Sequence, residues 1–127
     1  MQIVLENPDY AYVLRGADGA SARVNDQVLR ASFILTPDTL IEDWAVQDVA
    51  AMQPSDLEPL LALTPELVVL GCGETQRFPP AAVMAACLTR GIGIETMTNA
   101  AAARTFNVLA GEGRRVAMGF VIVADSR

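Results

Sequence analysis

The sequence contains no histidine. That absence removes the commonest general base, the commonest zinc ligand and the usual partner of a catalytic serine or cysteine. Cysteine is almost as scarce, with only Cys72 and Cys87. The chain is long enough to hold a core without covalent staples, so both are expected as reduced thiols. Long apolar runs are also missing. The longest, Ala81 to Leu88 and Val116 to Ala124, fall well short of the ~20 residues needed to cross a bilayer. The opening "MQIVLENPDY" has acids where a secretory signal has bases, and no apolar segment follows. A cytoplasmic location without direct membrane insertion is therefore expected. Positive charge is short too. Nine basic against fifteen acidic residues give a net charge of −6, which repels phosphate backbones and anionic headgroups. The expected partner is a protein or a small molecule rather than nucleic acid.

What is present is a core. With 52% hydrophobic residues, 19% charged and 6% aromatic over 127 positions, the composition is that of a globular chain, expected as one domain over residues 1–127. No repeat, charge block or Ser/Gly/Pro-rich linker divides it.

The first half reads as β-rich. "YAYVLRG" (10–16), "SARV" (21–24) and "QVLRASFILT" (27–36) are separated by turn signals at Ala17-Asp18-Gly19 and Asn25-Asp26, which predicts a meander. "TLIEDWAV" (39–46) follows the Pro37-Asp38 break as a fourth strand. It carries the only tryptophan, Trp44, expected in the core.

The second half changes period. Ser55 and Glu58 read as a capping box ahead of Leu57, Leu60 and Leu61, predicting a short helix. "PELVVLG" (65–71) is a continuous apolar run and so a strand covered on both faces, central in its sheet. Pro79 and Pro80 suit a first helical turn, and "AAVMAACLTR" carries that helix to Gly91, with Cys87 as core filler. "IGIETM" (92–97) is the next strand, and Thr98 caps a helix that ends at Gly111-Glu112-Gly113. "RRVAMGFVIVA" (114–124) is the last strand, of undetermined direction. On the helix after Thr98, Ala102, Phe106 and Leu109 share one face. Arg104 and Asn107 lie on the other, expected to be solvated.

Strand, helix, strand, helix, strand over 66–123 is the pattern of a layered α/β fold, with the β-rich N-terminal half extending or covering its sheet. In such folds the loops after parallel strands emerge at one carboxyl edge, where ligands bind. Gly71, Cys72, Gly73 and Arg77 in the loop after the apolar strand would then face the Thr98 helix start, with Arg104 nearby, as an anion site. The standard phosphate motifs fail there. The sixth position of the Gly-x-Gly run is Gln76 rather than glycine, and no Gly-Lys-Ser/Thr ending follows. Glycines that merely let the strand end explain the run equally well. Cys72 lacks a histidine or a second thiol to activate it, and Glu74 with Glu95 does not rise above the acidic background. No catalytic residue, metal or cofactor is expected.

The second half, through Gly71-x-Gly73, Arg77-Phe78-Pro79, Gly91-Ile92-Gly93, Glu95-x-Met97, Ala102-x-Arg104-Thr105-x-Asn107-x-Leu109 and Glu112-x-Arg114-Arg115-Val116, resembles a family of small domains. That family contains mitochondrial respiratory complex I assembly factor 3 and the adipogenesis-associated Mth-domain protein. "SFILTPD" (32–38) and the Trp44 segment extend the resemblance more loosely to the first half. It implies a three-layer α/β fold with a mixed sheet, a βαβαβ C-terminal half and a β-rich N-terminal half. It also implies a non-catalytic role through protein partners, a second copy of the chain being one candidate. Where relatives more often carry threonine, this chain has Cys72, so the resemblance puts weight on the loop's shape rather than on its thiol. Under the partner reading, or under an alternative small-molecule or anion-binding reading, the candidate site is Gly71, Cys72, Gly73, Arg77, Thr98, Arg104 and Asn107.

Overall fold

A computed structural model of the chain describes residues 10–123. Three short strands, β1 (Leu14–Ala17), β2 (Ala22–Val24) and β3 (Gln27–Leu29), form an antiparallel meander. The predicted turns sit between them, with Asn25 at φ 52°. Asp18 shapes the first turn: its carboxylate accepts the Ala20 and Ser21 N–H groups at 2.8 and 2.9 Å, an Asx turn that holds its carboxyl below the usual range.

The long strand expected over 27–36 is two strands in two sheets. After β3 the chain passes Arg30 to Ser32 and re-forms as β4 (Phe33–Leu35), the start of a five-stranded sheet. Burial shows why. In β3 only Leu29 is covered, as on the outside of a meander, whereas all three residues of β4 are buried on both faces. β4 pairs antiparallel with β5 (Leu40–Ile41). Beyond β5 the expected strand does not continue: Asp43 adopts φ 63°, a left-handed conformation that ends an extended run. Trp44 is buried as predicted but lies outside any strand. Its indole Nε1 donates to the Asp56 carbonyl at 3.0 Å. The ring covers Gly119 so closely that an added Cβ would stand 2.5 Å from it.

Single 3-10 turns at Val49–Ala51 and Pro54–Leu57 lead into the one-turn helix α1 (Glu58–Leu61). The predicted Ser55–Glu58 box is displaced by two residues. Pro54 presets the first position, Gln53 becomes the cap, and the Asp56 carboxylate accepts the Gln53 N–H at 2.8 Å.

The remaining elements follow the predicted order: β6 (Leu67–Gly71), α2 (Ala81–Leu88), β7 (Gly93–Met97), α3 (Asn99–Gly111) and β8 (Val116–Phe120). The sheet order is β5-β4-β8-β6-β7. β6 runs parallel to both β7 and β8, while β4 runs antiparallel to β8. This settles the direction of the last strand and moves the centre of the sheet from β6 to β8.

Two cores flank this mixed sheet. On one side α3 and the β1–β3 meander pack Leu14, Val24, Phe106 and Ala102 against Phe33, Val69, Met118 and Phe120. The Phe33 and Phe120 rings stack with centroids 5.0 Å apart. On the other side α1, α2 and the 3-10 turns pack Leu57, Leu60, Val83 and Cys87 against Ile34, Val68, Leu70 and Ala117. Each large side chain buried this fully contributes about 1.5–3 kcal/mol.

Candidate functional site

β6, β7 and β8 end together, with Gly71 in register with Met97 and with Phe120. The predicted loop and helix start do meet at this carboxyl edge, and the group joining them is Asn99. This residue is fully buried. Its Oδ1 accepts the Gly73 N–H at 3.1 Å. Its Nδ2 donates to the Asp18 carbonyl at 2.9 Å and to the Val121 carbonyl at 3.0 Å. Its backbone N–H donates to the Gly73 carbonyl at 2.9 Å. One amide therefore ties together the loop after β6, the segment after β8 and the β1–β2 turn.

The glycines follow from that arrangement. A Cβ on Gly71 would collide with the Asn99 Oδ1 and stand 3.0 Å from the Phe120 ring, and Gly73 sits at φ +102°, where only glycine is unstrained. Thr98 caps α3 as predicted, its hydroxyl accepting the Ala101 N–H at 3.2 Å. The Glu74 carboxylate accepts the Gly19 N–H at 2.8 Å. The Gly19 carbonyl in turn accepts the Val123 N–H at 3.1 Å. The β1–β2 turn thus lies across the edge where a ligand would enter. The N–H groups of Asn99, Ala101 and Gly73 are all bonded within the chain, and no buried side-chain polar atom among the described residues lacks a partner.

The other predicted residues are dispersed. Cys72 is buried, and its thiol donates to the Arg77 carbonyl at 3.1 Å. Burial pushes its pKa up, opposed by hydrogen bonds at Arg77 and Met97, so the nucleophilic thiolate is disfavoured. Cys87 is likewise raised by burial. Arg77 is exposed, and its guanidinium lies 3.4 Å from the Asp48 carboxylate, beside the turn whose Val49 belongs to the α2 side of the sheet. Arg104 is exposed on α3, on the other side.

Asn107 is not on a solvated face. It is half-buried, its Nδ2 donating to the Leu14 carbonyl at 2.7 Å and its Oδ1 accepting the Leu14 N–H at 3.1 Å. It pins β1 to α3, because the meander covers the helix face that periodicity alone leaves to water. Among the described residues no cluster of His, Cys, Asp and Glu could hold a metal, and no helix is long and apolar enough to cross a membrane.

The sequence reading missed Asn99. It is the one polar residue between the Thr98 cap and four successive alanines, a position where a solvated helix has no need of it. It also gave no role to the outward face of α2, a helix it did predict. This helix, "AAVMAACL", has no charged residue. Val83 and Cys87 face the core, while Ala81, Ala82, Ala85 and Leu88 are exposed. Phe78 precedes it with 67% of its surface in solvent, and Leu88 ends it at 59%. Outer-layer helices ordinarily carry a polar face to water; this one does not.

Comparison with known proteins follows the same lines. The model of a family described as protein of unknown function (DUF498/DUF598) matches residues 14–121. A solved structure of a Xanthomonas campestris protein is 54% identical over all of this chain and 96% of its own, with a TM-score of 0.85. A Bordetella pertussis protein described as a Mth938-like domain is 24% identical with a TM-score of 0.82, over 99% of this chain and 95% of its own. The latter is evidence of a shared fold. A Francisella tularensis protein named 13 kDa major membrane protein is 31% identical over 71 residues. That match spans 56% of this chain and 58% of the length of that protein.

Proposed function

We propose that this chain, which belongs to the DUF498/DUF598 family of proteins of unknown function, works without catalysis by binding a protein partner on the outward face of α2. This is the kind of role implied by its resemblance to respiratory complex I assembly factor 3. The observation that carries the reading is the uncharged exposed face of α2, with Phe78 and Leu88 at its two ends. Contiguous exposed apolar surface on a folded domain marks interaction sites, and aromatic residues with arginine supply most of their binding energy. Arg77, next to Phe78, would lie at the rim. The working location is taken to be the cytoplasm, which two free thiols favour.

The rival reading places an anion between the Gly71–Gly73 loop and the Thr98 helix start. Asn99 and Glu74 weigh against it, because they commit the donors of that edge to the chain itself.

The test is affinity isolation from the native cell with wild type and Ala85→Arg side by side, folding being checked by circular dichroism. Ala85 is exposed, so the substitution leaves the core intact. A specific protein present with wild type and absent with the variant is expected. The same set of proteins recovered with both would overturn the proposal, as would self-association alone that the variant does not change.

A further inference from the structure

The opposite edge of the sheet holds a cavity of about 370 Å³. That is within the ~300–1,000 Å³ range of small-molecule sites. It lies where β6 and β8 begin, between the β4–β5 turn, the residues before β6 and the α3–β8 connection. Half of its lining is apolar, supplied by Tyr10, Pro37, Leu63, Pro65, Ala110 and Val116. The Tyr10 ring is held edge-on against Phe106 with centroids 6.4 Å apart.

Its charged lining is Asp38, Arg114 and Arg115. Two guanidinium groups face one carboxylate in the lining, and a second carboxylate just outside it leaves the cluster formally neutral. Glu66, outside the lining, holds both arginines in place. It is hydrogen-bonded and ion-paired to Arg114 and lies 3.8 Å from the Arg115 Nη1. The hydrogen bond from Arg114 keeps the Glu66 carboxyl below its usual range. The Arg115 Nε also donates to the Thr64 carbonyl at 3.4 Å. A guanidinium has five N–H donors, and these contacts take only part of them. The pair is therefore held by a carboxylate outside the lining and keeps N–H donors that these contacts do not use, as a preorganised anion-binding arginine does.

We propose that this cavity binds a small monocarboxylate with an apolar body. The carboxylate meets Arg115 and the remaining donors of Arg114, and the body lies among Tyr10, Leu63, Pro65 and Val116. The N–H donors left free on the two arginines suit a single carboxylate, and with Asp38 and Glu66 balancing their charge nothing favours a dianion such as phosphate. The walls offer contact to a hydrocarbon that a fully hydrated ion cannot use. The site is on a different edge from the Gly71 loop and is independent of the partner-binding face proposed for α2.

The experiment is a titration of the full chain, followed by backbone amide NMR shifts, with benzoate and hexanoate against benzyl alcohol, hexanol and inorganic phosphate. Saturable shifts are expected at Tyr10, Thr39, Leu63, Arg115 and Val116. Carboxylates should bind about tenfold or more tightly than the matching alcohols, the scale of one charge-assisted contact. Arg115→Gln should abolish that preference, and Arg115→Lys should keep part of it. Arg115 is 70% exposed, so neither substitution threatens the fold. No saturable shift from a carboxylate at millimolar concentrations would overturn the proposal. Equal binding of alcohols would remove the anion component, equal binding of phosphate would remove the apolar body, and shifts outside the cavity would remove the site.

Discussion

Replacing Asn99 by alanine deletes three hydrogen bonds at once, from Gly73 N–H and to the Asp18 and Val121 carbonyls. Each leaves behind a partner with restricted access to water. At about 1 kcal/mol net per bond, the loss is about 3 kcal/mol, a large share of the ~5–15 kcal/mol that holds a domain folded. With a urea slope of ~1–3 kcal/mol/M, the midpoint should fall by about 1–3 M. The sharper test uses Gly71. Gly71→Ala alone drives a methyl into the Asn99 Oδ1, an overpacking that costs ~1–3 kcal/mol. In the Asn99→Ala background that oxygen is gone, and only the Phe120 ring at 3.0 Å resists the methyl. The double variant should therefore be more stable than the sum of the single losses predicts, with a coupling of at least about 1 kcal/mol. Chemical denaturation of the four proteins measures it. Additivity within ~0.5 kcal/mol would show that Asn99 does not set the requirement for glycine at this loop.

Both thiols are buried and pushed above their ordinary range, so an aromatic disulfide reagent at mildly alkaline pH should react with native protein on the order of a hundredfold more slowly than with unfolded protein; a fast native phase assigned to Cys72 would contradict its hydrogen bond to the Arg77 carbonyl. Asp18 and Glu66 are both depressed in the folded state, so their stabilisation is complete above their unfolded values of about 4 and is lost as pH falls through the lower folded values. The stability gap between wild type and Asp18→Asn should then close on acidification below about pH 4, and a gap that persists undiminished to about pH 2 would count against the Asx turn as its source.

Local signals carried most of the architecture. The Thr98 cap, the start of α2 and the apolar run of β6 depend on neighbours a few residues away; the cap and the run are where the sequence places them, while the two prolines precede α2, with Pro80 as its N-cap, instead of forming its first turn. What depended on distant partners was not legible. Asn99 bonds groups 22, 26 and 81 positions away, and Asn107 bonds Leu14 across 93. Nothing within one turn of Asn107 distinguishes it from a polar residue facing water, and the alanines after Asn99 mark it as unusual without naming its partners. The split between β3 and β4 was hidden because a one-sided and a two-sided strand abut without a glycine or proline between them. At the carboxyl edge the loop and the helix start were correctly placed together. The turn that covers them comes from residues 18–21, whose destination no local pattern reveals.

The placement of β8 also governs how the chain can be made. β4 is complete by Leu35, yet the strand it pairs with spans Val116–Phe120, about eighty residues later. At a synthesis rate of ~5–20 residues per second, the two are separated by on the order of five to fifteen seconds. During that interval β4, and β6 once it is made, lack the strand that both pair with. The nascent chain therefore presents two apolar strand edges awaiting the same partner strand, the kind of exposure that favours aggregation before synthesis is complete. Substitutions in β8 should accordingly reduce yield in cells more than their effect on equilibrium stability alone accounts for.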